Sequence, residues 1–218
     1  MRFMDEVVQD SMEIWDACAN ERFLNEMADG TLSREKFFDY IIQDSLYLRD
    51  YLKVFAYALV KAKNLDDMKE YYGCLGFINE GENATRIVYL RDMGMTDADV
   101  DKMQKRKQCE DYCNFLIAKS AAGTEEDILM AMLPCMVGYR YVFESLKRRA
   151  PQVMNGYYAP LVADYTTEEY GEVCRHWLDF TNQKCENLDE KRKKELNAIF
   201  RQASLHELYF WQMAGEDK

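Results

Sequence analysis

The stretch Leu133-Pro134-Cys135-Met136-Val137-Gly138-Tyr139 decides how the fold is interpreted, because it places a proline and a glycine inside a strongly helical sequence. Proline removes a backbone donor and clashes with the preceding turn, which predicts that the helix bends or opens here. Cys135 follows the proline directly, and Tyr139 lies one turn later on the same helix face. This thiol and phenol form a candidate active-site pair, although a cysteine is more often a small buried apolar residue.

The sequence around this stretch predicts an all-α protein. The 218 residues include only 3 prolines and 10 glycines, which favours a few long helices over a many-stranded sandwich. We expect about eight helices with short connections and no strand, packed as a single-domain helical bundle over residues 1–218. The predicted helices cover about residues 5–18, 34–63, 65–93, 96–123, 124–149, 166–185 and 189–214, and a less regular segment covers 151–164. Ser33 and Thr166 are predicted N-caps, the latter in a capping box with Glu169.

Charge and composition exclude several classes of protein. The net charge of −11 disfavours nucleic acid and anionic membranes as partners, since both require a basic surface. No apolar run is long enough to span a bilayer, and the acidic N-terminus does not resemble a signal peptide. Seven cysteines without a CxxC spacing indicate free thiols in a reducing compartment, so we expect a cytoplasmic protein.

A second candidate residue is Asp44, which lies on a helix face with Tyr40, Tyr47 and Tyr51 at steps of four, three and four. An acid in such a position either faces solvent at the edge of the apolar face or is buried with a polar partner. Because buried phenols need hydrogen-bond partners, the three tyrosines favour a polar pocket at Asp44.

A third candidate is Glu207, which lies between Leu205 and Leu208 with Phe210 and Trp211 one turn further on. It is either an acid at the edge of an interface or a general acid/base whose pKa an apolar site raises. His176 and His206 are the two histidines, for which a surface or core role is the simpler interpretation. ExxH, phosphate-loop and HExxH motifs are absent from the sequence, which argues against di-iron, nucleotide and zincin chemistry.

Several motifs extend in a fixed order over nearly the whole chain, and their combination is more specific than any one of them. They are Gly30-Thr31-Leu32, Gln43-Asp44-x-x-Tyr47-Leu48, Asp111-Tyr112 with Phe115-Leu116, Leu133-Pro134-Cys135 with Tyr139, Asp164 to Tyr170, and Glu207-x-x-Phe210-Trp211. With these motifs in this order, the chain resembles the TenA/thiaminase II family, which has a haem-oxygenase-like all-α fold.

The resemblance implies a thiamine-salvage hydrolase (an aminopyrimidine aminohydrolase). Such an enzyme cleaves the bond between the pyrimidine methylene and its amine, in aminomethylpyrimidine or in thiamin, and releases hydroxymethylpyrimidine. The implied roles are nucleophile for Cys135, ring binding and activation for Asp44, acid/base for Glu207, thiol orientation for Tyr139, and hydrogen bonding or stacking for Tyr47, Tyr112 and Tyr165. The resemblance also implies a homotetramer without a metal or organic cofactor. The chemistry of these residues fits independently, since an aromatic ring needs phenols and covalent addition needs a thiolate.

The chain departs from the family's usual pattern in three places: Arg140 to Phe143, Gly156 to Val162, and Asn79 to Thr85. These departures motivate a second hypothesis, a non-catalytic pyrimidine-binding or accessory protein of the same fold. A third hypothesis is a haem- or quinone-dependent enzyme, against which the lack of a suitably placed histidine counts. The catalytic hypothesis predicts that Asp44, Tyr47, Cys135, Tyr139 and Glu207 line one enclosed cavity sized for a single pyrimidine ring.

Overall fold

A computed structural model describes the backbone of residues 1–80 and 82–217 and the side chains of residues 1–75 and 84–217. Within these residues the chain forms eleven α-helices and one 3-10 helix (Pro151–Asn155), and no strand. In chain order the α-helices are α1 (Phe3–Ala19), α2 (Arg22–Asp29), α3 (Arg34–Lys61), α4 (Leu65–Glu80), α5 (Glu82–Asp92), α6 (Asp97–Val100), α7 (Lys107–Ala122), α8 (Glu125–Arg149), α9 (Ala159–Thr166), α10 (Glu168–Cys185) and α11 (Glu190–Gly215). The all-α prediction is confirmed, and the predicted number of about eight is wrong.

The additional helices are short ones that the sequence pattern did not resolve. Helix α2 buries Phe23 and Leu24 and ends at Gly30, whose φ of 73° is the left-handed conformation typical of a helix C-terminus. The predicted helix over 96–123 is two helices, α6 and α7, and the irregular segment over 151–164 contains α9. The predicted helix over 65–93 is described as α4 and α5, and residue 81 between them lies outside the described residues.

Helix α8 runs without interruption through Pro134, so the helix does not open there, and the predicted alternative of a bend stays a prediction. Two phenols from neighbouring helices donate to carbonyl groups on either side of the proline. The Tyr51 hydroxyl donates to the Met132 oxygen at 3.0 Å, and the Tyr170 hydroxyl donates to the Met136 oxygen at 3.0 Å. These bonds and burial of the surrounding turns offset the proline penalty of about 3 kcal/mol.

The N-cap prediction is confirmed at Ser33 and wrong at Thr166. The Ser33 hydroxyl accepts a hydrogen bond from the Lys36 amide at 3.2 Å at the start of α3. At α10 the cap is Thr167, whose hydroxyl accepts from the Tyr170 amide at 3.1 Å. Thr166 instead ends α9, and its hydroxyl donates to the Val162 oxygen at 2.9 Å. The N-cap is therefore one residue later than predicted, because two threonines are adjacent there, and with Tyr170 as the third helical residue the predicted capping box with Glu169 does not form.

Helix α8 lies at the centre of the bundle and packs against α1, α3, α7, α9, α10 and α11. Buried Glu125 at its start accepts a hydrogen bond from the Tyr71 hydroxyl at 2.7 Å and pairs with Lys184 at 3.0 Å. These contacts attach α4 and α10 to the same end of α8. The two helices thereby become opposite walls of a cavity beside Cys135. None of the described helices is long and apolar enough to cross a membrane.

Candidate active site

A cavity of about 510 Å³ lies between α3, α4, α8, α9 and α10. Its volume falls in the range of about 300–1,000 Å³ typical of small-molecule sites. The polar and thiol groups that line it include Asp44 from α3, Cys135 and Tyr139 from α8, Tyr165 from α9, and Glu70 and His176 from the two outer walls. Asp44 and Tyr139 are buried, whereas Glu70 and His176 face solvent, so the cavity has an inner and an outer end.

Four of the seven predicted site residues, Asp44, Cys135, Tyr139 and Tyr165, line the cavity. The other three are buried behind its wall: Tyr47, Tyr112 and Glu207. The expectation that Tyr47 and Glu207 line the cavity is therefore wrong, and the cavity is larger than a single pyrimidine ring requires. Glu207 nevertheless reaches the site, because the Cys135 thiol donates a hydrogen bond to its carboxylate.

The Glu207 carboxyl group is held between a thiol and a phenol. The Tyr112 hydroxyl donates to Glu207 Oε1 at 2.7 Å, while Cys135 approaches from the cavity side. Burial raises the Glu207 pKa to about 8; the two hydrogen bonds oppose the shift, and the charge of Asp44 adds to it. A carboxyl group with such a pKa is suited to accept and return a proton near neutral pH.

Asp44 supplies a second carboxyl group at the inner end of the cavity. Burial raises its pKa to about 7, and the positive charge of Arg86 opposes this rise. Arg86 itself donates to the Ser45 hydroxyl at 3.1 Å and to Asp97 at 2.9 Å. The negative charge of Asp44 adds to the raised pKa of Glu207, so both buried carboxyl groups keep their protons to a higher pH than an exposed acid does.

The phenols around the thiol pack as a continuous aromatic wall. The Tyr139 ring lies 5.1 Å from that of Tyr165 and 5.0 Å from that of Trp211, measured between centroids. Buried in the same wall, the Tyr40 hydroxyl lies near Tyr139 and the Tyr47 hydroxyl near Tyr112, but neither makes a well-aligned hydrogen bond to the described residues. The wall therefore holds polar groups that a ligand or an ordered water molecule can satisfy.

Tyr112 is buried and already packs against two other rings. It stacks on His206 with centroids 5.2 Å apart and planes 5° apart, and it packs against Tyr47 at 4.9 Å. Stacking of a ligand on Tyr112 would therefore require one of these neighbours to move. The role that the geometry gives Tyr112 is its hydrogen bond to Glu207, which the sequence alone did not predict.

Two of the three departures from the family pattern lie away from the cavity. Arg140 donates to the Thr167 oxygen at 3.1 Å and covers Gly171, where a β-carbon would lie 2.0 Å from its guanidinium. Tyr157 and Tyr158 pack against Phe37 and do not line the cavity. The third departure, Asn79 to Thr85, lies mostly outside the residues whose side chains are described.

Sequence reasoning missed several groups around the site. Arg86, which influences Asp44, follows the segment whose side chains are not described, and no sequence pattern linked it to Asp44. Tyr51 lies on the predicted helix face that carries Asp44 but was given no role, although its hydroxyl contacts the helix turn before Cys135. His176 was interpreted as a surface or core residue; it is exposed, and sequence reasoning did not predict that its Nε2 lies 2.8 Å from Glu70 Oε2 at the outer end of the cavity.

The raised pKa of Glu207 predicts that stability falls with increasing pH. The unfolded chain releases this proton near pH 4.5, whereas the folded protein retains it until about pH 8. The folded state therefore binds more protons across this window, and the free energy of unfolding decreases as the pH rises through it. We expect the free energy of unfolding of Glu207→Gln to fall less with increasing pH than that of wild type. The variant should therefore be more stable than wild type above pH 8, by a few kcal/mol at most.

Urea unfolding at pH 5, 7 and 9 measures this effect. The matched control is Glu190→Gln, which removes an exposed acid from the same helix and should reproduce the pH dependence of the wild type. A Glu207→Gln protein with the same pH dependence as wild type would show that Glu207 is ionised in the folded state throughout this range.

Together the fold and the site define an all-α protein with a cavity between packed helices, which is lined by the Cys135 thiol and the Asp44 carboxyl group. A domain from Shewanella denitrificans with a heme oxygenase-like fold superposes with a TM-score of 0.73 at 13% identity, covering 96% of this chain and 90% of that chain, which shows the fold class. The family profile described as TENA/THI-4/PQQC matches residues 8–217, and the chain belongs to this family.

Two further relatives are similar over almost their full length. An aminopyrimidine aminohydrolase from Helicobacter pylori is 26% identical over 215 residues, covering 98% of this chain and 99% of the relative. A TenA homologue from P. horikoshii superposes with a TM-score of 0.88 at 25% identity, covering 98% of each chain. The resemblance to the TenA family that the sequence motifs indicated is thereby confirmed.

Proposed function

We propose that the protein is a thiamine-salvage hydrolase that cleaves the pyrimidine-methylene C–N bond of aminomethylpyrimidine, and of thiamin, to give hydroxymethylpyrimidine. The observation that carries the proposal is the hydrogen bond between the Cys135 thiol and buried Glu207, at a cavity that also exposes Asp44. Membership of the family and the similarity to the Helicobacter pylori aminopyrimidine aminohydrolase support the same reaction class.

In the proposed reaction the pyrimidine binds at the inner end of the cavity. Asp44 hydrogen-bonds to the N–C–NH₂ edge of the ring, where its raised pKa allows it to supply a proton to a ring nitrogen. Glu207 takes the proton from Cys135 as the sulfur adds to a ring carbon, and the electron pair moves into the ring. The Tyr112 hydroxyl holds the Glu207 carboxylate in place for this transfer.

The remaining steps exchange the amine for water. The methylene C–N bond breaks with the electrons that the ring had gained, and Glu207 returns its proton to the leaving amine. Water then adds to the methylene carbon and gives its proton to Glu207. Finally the C–S bond breaks with its electron pair on sulfur, the Cys135 thiolate takes the proton back from Glu207, and the ring nitrogen returns its proton to Asp44. The balanced overall reaction converts the aminomethyl compound and water into the hydroxymethyl compound and an amine.

The test is a turnover assay on the purified wild-type protein with aminomethylpyrimidine and with thiamin as separate substrates. We expect hydroxymethylpyrimidine to form in a 1:1 ratio with the released amine, as measured by liquid chromatography and an ammonia assay. Asp44→Asn should still fold but bind the pyrimidine at least about tenfold more weakly, because the asparagine cannot supply a carboxyl proton. Calorimetric binding of the pyrimidine by wild type without product would instead favour the accessory-protein hypothesis.

A further inference from the structure

His206 is the residue before Glu207 on α11, and both side chains contact the same tyrosine of α7. The Tyr112 hydroxyl donates a hydrogen bond to Glu207 Oε1 at 2.7 Å. The Tyr112 ring stacks on the His206 imidazole, with centroids 5.2 Å apart and planes 5° apart. Consecutive side chains on a helix point about 100° apart, so these two reach different parts of the phenol. Tyr112 is therefore attached to α11 at two points, its ring face and its hydroxyl group.

The imidazole of His206 is itself held by a second ring of α7. Phe115 lies about one helical turn after Tyr112, on the same face of that helix. The centroids of the Phe115 and His206 rings are 4.9 Å apart, and their planes differ by 36°. Nε2 of the partly buried imidazole lies 3.5 Å from Nε2 of Gln202, an exposed residue of α11. These contacts fix the plane of the imidazole against which the Tyr112 ring is stacked.

The protonation state of His206 suits a position beside Glu207. Burial lowers the pKa of His206, and the negative charge of Asp111 opposes this shift. The imidazole is therefore neutral at neutral pH, and it stacks on Tyr112 without adding a positive charge near the carboxyl group. A cation here would favour the ionised carboxylate and counteract the rise in the Glu207 pKa that burial causes.

The position of the Tyr112 hydroxyl influences the orientation of the Glu207 carboxyl group. This carboxyl group also accepts a hydrogen bond from the Cys135 thiol. The terminal torsion of a glutamate side chain is soft, so the carboxyl group needs a fixed partner to keep one orientation. A displacement of about 1 Å at a reacting group can lower a rate by about 10²-fold. A ring that fixes Tyr112 can therefore affect the proton transfer without touching the substrate.

We propose that His206 is a positioning residue for the acid/base Glu207. The His206 imidazole fixes the Tyr112 ring by stacking, and the Tyr112 hydroxyl in turn holds the carboxyl group toward Cys135. The catalytic consequence rests on the proposed function, in which Glu207 takes the thiol proton. His206 is not among the described residues that line the cavity, so its effect is on the chemical step and not on binding of the pyrimidine.

Steady-state kinetics with aminomethylpyrimidine test this role. His206→Ala should lower kcat by about 10- to 100-fold and change KM by less than about threefold, because it frees Tyr112 and leaves the cavity intact. His206→Phe keeps a flat ring in the same place and should restore kcat to within about threefold of wild type. The matched control is Tyr209→Ala, which removes an exposed ring of α11 whose centroid lies 6.3 Å from that of His206. This control should retain the wild-type kcat.

The motion of the Tyr112 ring gives a second measurement that needs no substrate. The hydroxyl group lies on the axis about which the ring flips, so the hydrogen bond to Glu207 does not itself prevent flipping, whereas the stack on His206 does. Solution NMR of protein labelled in the tyrosine rings measures the flip rate, and Tyr112→Phe assigns the signal. His206→Ala should flip at least about tenfold faster than wild type, and His206→Phe should flip at the wild-type rate.

The outcomes separate this role from the proposed function. Unchanged kcat in His206→Ala, or a loss that appears in KM, would overturn the positioning role. An equal loss in His206→Phe would show that stacking is not the cause, and an unchanged flip rate in His206→Ala would show that His206 does not act through Tyr112. A wild-type protein without turnover would overturn the proposed function, and the flip rates would still decide whether His206 holds Tyr112.

Discussion

Replacing Cys135 by alanine is expected to lower kcat for aminomethylpyrimidine by at least about 10³-fold. The residue is half-buried in the cavity wall and its thiol donates a hydrogen bond to Glu207, the group that we propose accepts the thiol proton. Alanine removes the sulfur and little packing volume, and we expect unfolding free energy to change by only about 1 kcal/mol. Steady-state kinetics and urea unfolding of the same preparation measure the two effects.

Cys74 provides the matched control, because it also lines the cavity and is also partly buried. Cys74→Ala removes a thiol from the same space, on α4 rather than on α8, and should retain kcat within a few-fold of wild type. Mass spectrometry of trapped wild-type protein should locate any covalent adduct on Cys135. Similar losses in the two variants, or an adduct on Cys74, would contradict the assignment of the nucleophile.

Replacing Glu207 by glutamine is expected to lower kcat by about 10²–10⁴-fold, the range typical of removing a general acid/base. Glutamine preserves the shape of the side chain and can still accept the Tyr112 hydrogen bond, but it cannot take the thiol proton. The acidic limb of the kcat/KM profile, along which activity rises as Glu207 loses its proton near pH 8 and becomes able to accept the thiol proton, should also disappear. Activity measured from pH 5 to pH 10 tests both expectations.

Glu125→Gln is a matched control for this substitution. Glu125 is also a buried carboxyl group on the bundle axis and also accepts a tyrosine hydroxyl at 2.7 Å, but it does not line the cavity or contact Cys135. Because it pairs with Lys184, its replacement should reduce stability and leave the shape of the pH profile unchanged. If both variants lost activity in proportion to stability, Glu207 would have a structural role rather than a catalytic one.

Helical periodicity in the sequence was sufficient to predict the all-α class and most of the long helices. The predicted helix over 34–63 corresponds to α3, which ends at Lys61, and the predicted helix over 124–149 corresponds to α8. Short helices such as α2 were missed, because eight residues give too few turns for a periodic pattern to stand out. The predicted alternative of an opening at Pro134 does not occur, since local rules for proline do not include tertiary contacts such as the hydrogen bond from Tyr51 to the preceding turn.

Several residues were predicted to share a site, but their positions within it were not predicted. Motif order brought Asp44, Cys135, Tyr139 and Glu207 together as candidates from three different helices. It could not distinguish lining residues from supporting ones, which depends on how α7 and α11 pack against α3 and α8. In the structure Glu207 lies behind Cys135, and Tyr112 supports Glu207 rather than facing the cavity.

The sequence by itself determined the helical class, the family and the identity of the thiol and the two carboxyl groups, because periodicity and motif order are properties of the chain alone. The tertiary structure decided that Cys135 and Glu207 are hydrogen-bonded, that burial raises the pKa values of Asp44 and Glu207, and that Glu70 and His176 meet at the outer end. These properties depend on desolvation and on distances between helices far apart in sequence, which local sequence does not encode.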